Sequence, residues 1–254
     1  MIGIIVSGGI SFLVVIFSTL IGVNFFKSRN IGQEIQEEVD FHDHKKGTPT
    51  MGGLFIVFGT FAGYALSHIN FWTIGEGFKV EITSMNTNIL LIFGIAFSMA
   101  LVGLLDDFLK VKAGRNLGLK PSQKLILQTL VGLVSAYYFL YLNYDSSFYF
   151  FSGLGFDIGI LKWLVIIFFI IGITNSVNFT DGLDGLVAGS SAISFGGILI
   201  ISFWIYRHPE YYSRFIGQSF LTVDISLLIS AVAGACLGFL SVSYTHLTLP
   251  TNKA

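Results

Sequence analysis

The chain has 254 residues, of which 53% are hydrophobic and only 11% charged, and its formal net charge is −1. That balance excludes an ordinary soluble domain and a nucleic-acid binder held by a basic surface, and it points to an integral membrane protein. The single cysteine, Cys236, excludes an internal disulfide.

A helix crossing the ~30 Å hydrocarbon core needs about 20 apolar residues. Seven apolar runs, near 3–26, 51–69, 88–108, 124–142, 159–174, 186–205 and 223–240, predict an all-α, polytopic membrane helix bundle over residues 1–240. The first run has no basic residue ahead of it and no small-residue cleavage site behind it, so it reads as a retained helix. After it comes DFHDHKKGTPTMGG (40–53), where lysines, threonines and glycine-exposed N–H groups suit phosphate oxygens. The spacing of a Walker loop is absent, and His42 and His44 without a third ligand do not make a zinc site.

The third run ends in LLDDFLKVKAGRNLGLKPSQK (104–124). A helix turns consecutive side chains about 100° apart, so Asp106 and Asp107 cannot both face the same way. At least one should face the bundle interior or a cavity, since lipid-facing carboxylates are costly. The negative end of the helix dipole lies here, and Lys110, Lys112 or a divalent cation would compensate it. The fifth run leads into NSVNFTDGLDG (175–185), whose pairs Asn175/Asn178 and Asp181/Asp184 would each share a helix face. Asp181 is the expected cap of the sixth helix, whose positive end would suit a pyrophosphate.

Nine basic residues, among them Lys27, Lys45, Lys46, Lys110, Lys120 and Lys124, flank or occupy the loops after spans 1 and 3. Lys79, Lys162, Arg207 and Arg214 are scattered elsewhere. The positive-inside bias puts the amino terminus outside and the loops after spans 1, 3 and 5 in the cytoplasm. All three polar clusters then share one side. Oxygen donors from Asp and Asn select a hard cation, and phosphate partners favour Mg²⁺. The residues by themselves describe a cytoplasm-facing, Mg²⁺-dependent site for phosphoryl transfer at a membrane surface.

KKGTPTMGG (45–53), GLLDDFLK (103–110) and NSVNFTDGLDGL (175–186) resemble, in order, the signatures of the polyprenyl-phosphate N-acetylhexosamine-1-phosphate transferases, glycosyltransferase family 4. KGTPTMGG favours the muramoyl-pentapeptide branch. The resemblance implies transfer of phospho-MurNAc-pentapeptide from UDP-MurNAc-pentapeptide to undecaprenyl phosphate, giving lipid I and UMP, a step of peptidoglycan and cell-wall synthesis. A related UDP-HexNAc donor is the alternative. It also implies Asp106 and Asp107 as the catalytic pair, with Asp106 removing a proton from the lipid phosphate and Asp107 in the metal and charge network. Direct attack by an aspartate stays open. Asn175 corresponds to a Mg²⁺ position with Asn178 beside it, and Asp181 and Asp184 to the uridine-nucleotide pocket. Lys45, Lys46, Thr50, Lys110 and Lys124 correspond to phosphate contacts. The two substrates and the bilayer are the implied partners, with no nucleic acid, and a homodimer is the assembly to test.

The family continues to about ten spans, with a further metal-binding Asp and a His-rich motif that this sequence lacks. The tail SVSYTHLTLPTNKA (241–254) resembles nothing expected at that place, so the expectation is a chain truncated after about Leu240 and inactive as written. A transporter is the rival class, but transport predicts carboxylates near the bilayer midplane, and here they cluster beside lysines at span ends.

Overall fold

The computed structural model describes residues 2–28, 52–73, 77–113, 118–139, 161–180, 185–208, 210–211 and 219–243. Lys45, Lys46, Thr50, Asp181 and Asp184 lie outside the described residues, as do His42, His44 and the tail from residue 244.

The elements are helices α1 (Ile2–Ser28) and α2 (Gly53–Leu66), strands β1 (Ile69–Thr73) and β2 (Gly77–Ile82), and helices α3 (Thr87–Ala113), α4 (Pro121–Tyr137), α5 (Leu161–Thr180), α6 (Leu186–Arg207) and α7 (Ser219–Val242). Five of these helices, α1, α3, α5, α6 and α7, are long and apolar enough to cross a membrane. The expected all-α bundle is therefore present, and its second span is shorter than the apolar run suggested. α2 stops at Leu66 because the chain turns into an antiparallel hairpin that pairs Ile69 with Ile82. α4 starts earlier than expected because Pro121 fits the first helical turn and Gln123 accepts a hydrogen bond from the Lys120 N–H at 3.0 Å.

The expected cap of the sixth span is corrected. Gly185, not Asp181, precedes the first residue of α6, and its φ of 76° is a left-handed conformation that glycine adopts at no steric cost.

The described chain divides into two compact units. One holds residues 1–94 and 183–254, with α1 packed against both α2 and α7. Lipid offers no hydrophobic drive for helix association, so such contacts rely on small residues and interhelical hydrogen bonds. Both are present. Gly59 and Gly63 of α2 lie against Ser7, Ser11 and Val15. Gly234 and Gly238 of α7 lie against the Gly8 and Phe12 backbone, where a Cβ on Gly238 would meet the Phe12 carbonyl oxygen at 2.6 Å. Ser7 Oγ donates to the Leu227 carbonyl at 2.9 Å, Ser230 Oγ to the Ile4 carbonyl at 2.7 Å, and the Ser202 and Ser226 hydroxyls meet at 2.7 Å. Tyr64, Ile89, Phe93, Leu227 and Ala231 form the apolar core beside them.

At the base of the hairpin, His68 is buried with Nδ1 2.9 Å from the Tyr64 carbonyl and Nε2 3.2 Å from Asp224 Oδ1. A carbonyl only accepts, so Nδ1 carries hydrogen, and the Nε2 contact needs a second, shared proton. The Thr83 N–H and hydroxyl both donate to the His68 carbonyl, at 3.0 and 3.2 Å, closing the hairpin. Removing one member of a buried, hydrogen-bonded pair typically costs about 3–5 kcal/mol. Asp224→Ala is therefore expected to lower the thermal midpoint of the purified protein by several degrees, and an unchanged midpoint would show that the pair holds nothing.

The second unit holds residues 95–182, comprising α3 from Ile95 onward, α4 and α5. Gly132 of α4 packs on Ile167 of α5, where a Cβ would fit at 3.4 Å.

Candidate active site

α3 continues to Ala113, so Asp106 and Asp107 lie well inside the helix rather than at its last residue. Their side chains diverge as a helix requires. Asp106 keeps 12% side-chain exposure and Asp107 31%. Lys110, one turn on, bridges them, with Nζ 2.7 Å from Asp106 Oδ2 and 3.2 Å from Asp107 Oδ1. The two like charges at the end of an apolar run are thus held by a single ammonium.

Asp106 has a second role that its sequence position does not reveal. Its Oδ1 accepts from the Leu119 N–H at 2.8 Å, tying the α3 end to the residues that open α4. Gly118 lies so close that a Cβ there would fall 2.9 Å from both the Cγ and the carbonyl oxygen of Asp106. A side chain at 118 would displace the carboxylate. The glycine in NLGLK was the available signal.

Lys124, in the first turn of α4, acts on Asp106 through its charge. Gln128 lies one helical turn further along the same face. It is 1% exposed and pairs with Asn175 of α5, whose Nδ2 donates to Gln128 Oε1 at 2.9 Å and to the Ile171 carbonyl at 2.9 Å. In return Gln128 Nε2 approaches Asn175 Oδ1 at 3.4 Å. Asn178 lies on the same helix and is exposed. The structure thus brings Asp106, Asp107, Lys110 and Lys124 into one charge cluster and places Asn175 against α4 in the same unit. It adds Gln128, Gly118 and the Leu119 N–H, none of which was anticipated.

Two carboxylates against Lys110 and Lys124 leave the cluster near electrical balance. Among the described residues no group of three His, Cys, Asp or Glu side chains is placed to hold a metal ion. Asp107 on α3 and Asn175 on α5 carry oxygen atoms of the hard type that suits Mg²⁺.

A multi-span helical chain with a lysine-bridged aspartate pair is a membrane protein that carries paired charges on an apolar helix. Residues 89–244 match Glycosyl transferase family 4, and residues 45–57 match Phospho-N-acetylmuramoyl-pentapeptide-transferase signature 1. The chain is 36% identical to the phospho-N-acetylmuramoyl-pentapeptide-transferase of Corynebacterium efficiens, across 93% of this chain and 68% of that protein. It is 38% identical to the one of Oceanobacillus iheyensis, across 94% of this chain and 66% of that protein. The chain belongs to glycosyl transferase family 4 and, within it, to the phospho-N-acetylmuramoyl-pentapeptide-transferase family of phosphotransferase enzymes. It spans about two thirds of the length of the curated relatives it matches.

Proposed function

We propose that the site transfers phospho-MurNAc-pentapeptide from UDP-MurNAc-pentapeptide to undecaprenyl phosphate at the cytoplasmic face of the membrane, forming lipid I and UMP. The observation that carries this reading is the Asp106–Lys110–Asp107 cluster, two carboxylates and one ammonium held within one and a half turns of an apolar helix. It lies inside a region that matches the family throughout.

In the proposed reaction an oxygen of the lipid phosphate attacks the β-phosphorus of the donor. The bond from that phosphorus to the bridging oxygen breaks, and UMP leaves with the electron pair. Asp106 takes the proton of the lipid phosphate. Its two oxygens each carry one hydrogen bond and keep lone pairs for a further one. Lys110 and Lys124 are proposed to contact phosphate, and the family resemblance gives Lys45, Lys46 and Thr50 the same kind of role. Asn178, Asp181 and Asp184 are proposed to line the nucleotide side. Asp107 and the Asn175 carbonyl would hold Mg²⁺, which when bound offsets charge on the diphosphate. The near-balanced cluster supports that reading, since a diphosphate and a phosphate monoester together bring several negative charges.

Incubating the purified protein, extended to the full length of its relatives, with both substrates and Mg²⁺ tests the reading. UMP release that requires the lipid acceptor is expected. Release with a UDP-N-acetylhexosamine donor but not with the muramoyl pentapeptide would favour the related transferase instead.

A further inference from the structure

We infer that the Gly118–Leu119 peptide is a positioning element for Asp106: the Leu119 N–H holds one carboxylate oxygen, and the missing side chain at 118 leaves that oxygen its place. The inference rests on the reading of Asp106 as the base and deepens it. A carboxylate can turn about two side-chain bonds, and a proton acceptor works only when held in one setting toward its partner. Asp106 is pinned at both oxygens, Oδ2 by Lys110 Nζ at 2.7 Å and Oδ1 by the Leu119 N–H at 2.8 Å. Lys110 is a long side chain that Asp107 also engages, at 3.2 Å. The Leu119 N–H is main chain, which makes it the stiffer anchor.

The start of α4 fixes that anchor in turn. Lys120 is held extended ahead of Pro121, its N–H donates to Gln123 Oε1 at 3.0 Å, and its carbonyl accepts from the Lys124 N–H at 3.0 Å. Conformation does not require a glycine at 118, since among the described residues only Gly185 has a positive φ. Space does require it. A Cβ at 118 would meet Asp106 Oδ1 itself and fall 2.9 Å from both Cγ and the carbonyl oxygen, where unstrained contact begins at about 3.5 Å. The carbonyl belongs to the α3 main chain and cannot swing aside. The carboxylate or the Leu119 N–H must therefore move, and the bond between them opens.

The test uses the protein extended to the full length of its relatives, in lipid nanodiscs. Gly118→Ala is expected to lower kcat for UMP release by about 10²-fold, the effect of a misplacement of about 1 Å, with KM for either substrate changed by less than about twofold. In an Asp106→Asn background it is expected to cause no further loss, because it acts through that carboxylate. Gly172→Ala, where nothing stands within 4 Å of a Cβ, is the control in the same unit and is expected to match the parent. Amide hydrogen exchange at Leu119 reads the contact without turnover. It is expected to be about tenfold faster in Gly118→Ala and in Asp106→Ala than in the parent. A kcat for Gly118→Ala within about threefold of the parent, or a loss that persists in full beside Asp106→Asn, overturns the inference. Parent-like exchange at Leu119 in Asp106→Ala overturns it too, whether or not Gly118→Ala folds. A parent protein that transfers nothing removes the base reading itself, an outcome told apart from the others by the parent rate alone, and the inference falls with it.

Discussion

Asp106→Asn is expected to lower UMP release by about 10²–10⁴-fold, the range typical of a lost general base. The asparagine keeps an oxygen that can accept from the Leu119 N–H, so the junction between α3 and α4 should survive. What it loses is the proton-accepting carboxylate and the 2.7 Å pair with Lys110, because an NH₂ group would face an ammonium, donor against donor. Lys110 would then turn to Asp107 alone. Initial rates with saturating donor and lipid phosphate measure the loss, and the thermal midpoint of the same preparation shows that the fold is kept. A rate within threefold of the parent would remove Asp106 from the chemistry and leave it only the structural role at Leu119.

Gly234→Leu is expected to act on the other unit and on stability rather than rate. Gly234 lies directly against the Gly8 backbone, with a would-be Cβ only 3.0 Å from the Gly8 Cα. Main chain cannot swing aside as a flexible side chain can. Even modest overpacking of a fitted core costs about 1–3 kcal/mol. A branched side chain here must also part α1 from α7, which would break the Ser7 and Ser230 hydrogen bonds across them. The expected result is a protein that aggregates on extraction or melts many degrees below the parent. Gly9→Leu is the control: nothing stands within 4 Å of a Cβ at Gly9, and it is expected to behave as the parent does.

These two substitutions divide what was legible in the sequence from what was not. The aspartate pair was readable because two charges in an apolar run violate the pattern around them, and helix geometry alone required them to diverge. Lys110 at i+4 was readable for the same reason. The helical placement of Asn175 and Asn178 followed from their spacing. The close packing of α1 between α2 and α7 was not foreseen, because the glycines and serines that carry it are small residues scattered through runs already read as membrane. Nor was the hairpin at 69–82, which falls at the connection between the second and third apolar runs. Asp181 was a reasonable cap by residue type. The chain starts α6 instead from a left-handed glycine, a preference that single-residue cap rules do not weigh. Gln128 was invisible for a further reason: an uncharged amide gives no signal until its partner, 47 residues away in the chain, is brought beside it.

On the proposed reading the lysine-bridged carboxylates serve transfer of a phosphosugar onto a lipid phosphate. That reading is tested most directly by supplying the protein, extended to the full length of its relatives, with UDP-MurNAc-pentapeptide carrying ³²P at the β-phosphorus, together with undecaprenyl phosphate and Mg²⁺. The label is expected to move into a lipid-extractable diphosphate in step with UMP release, and to stay in the aqueous nucleotide when Asp106 is replaced by asparagine. Label that remains with the nucleotide in the parent protein, or that reaches the lipid equally well in the Asp106→Asn variant, would contradict it.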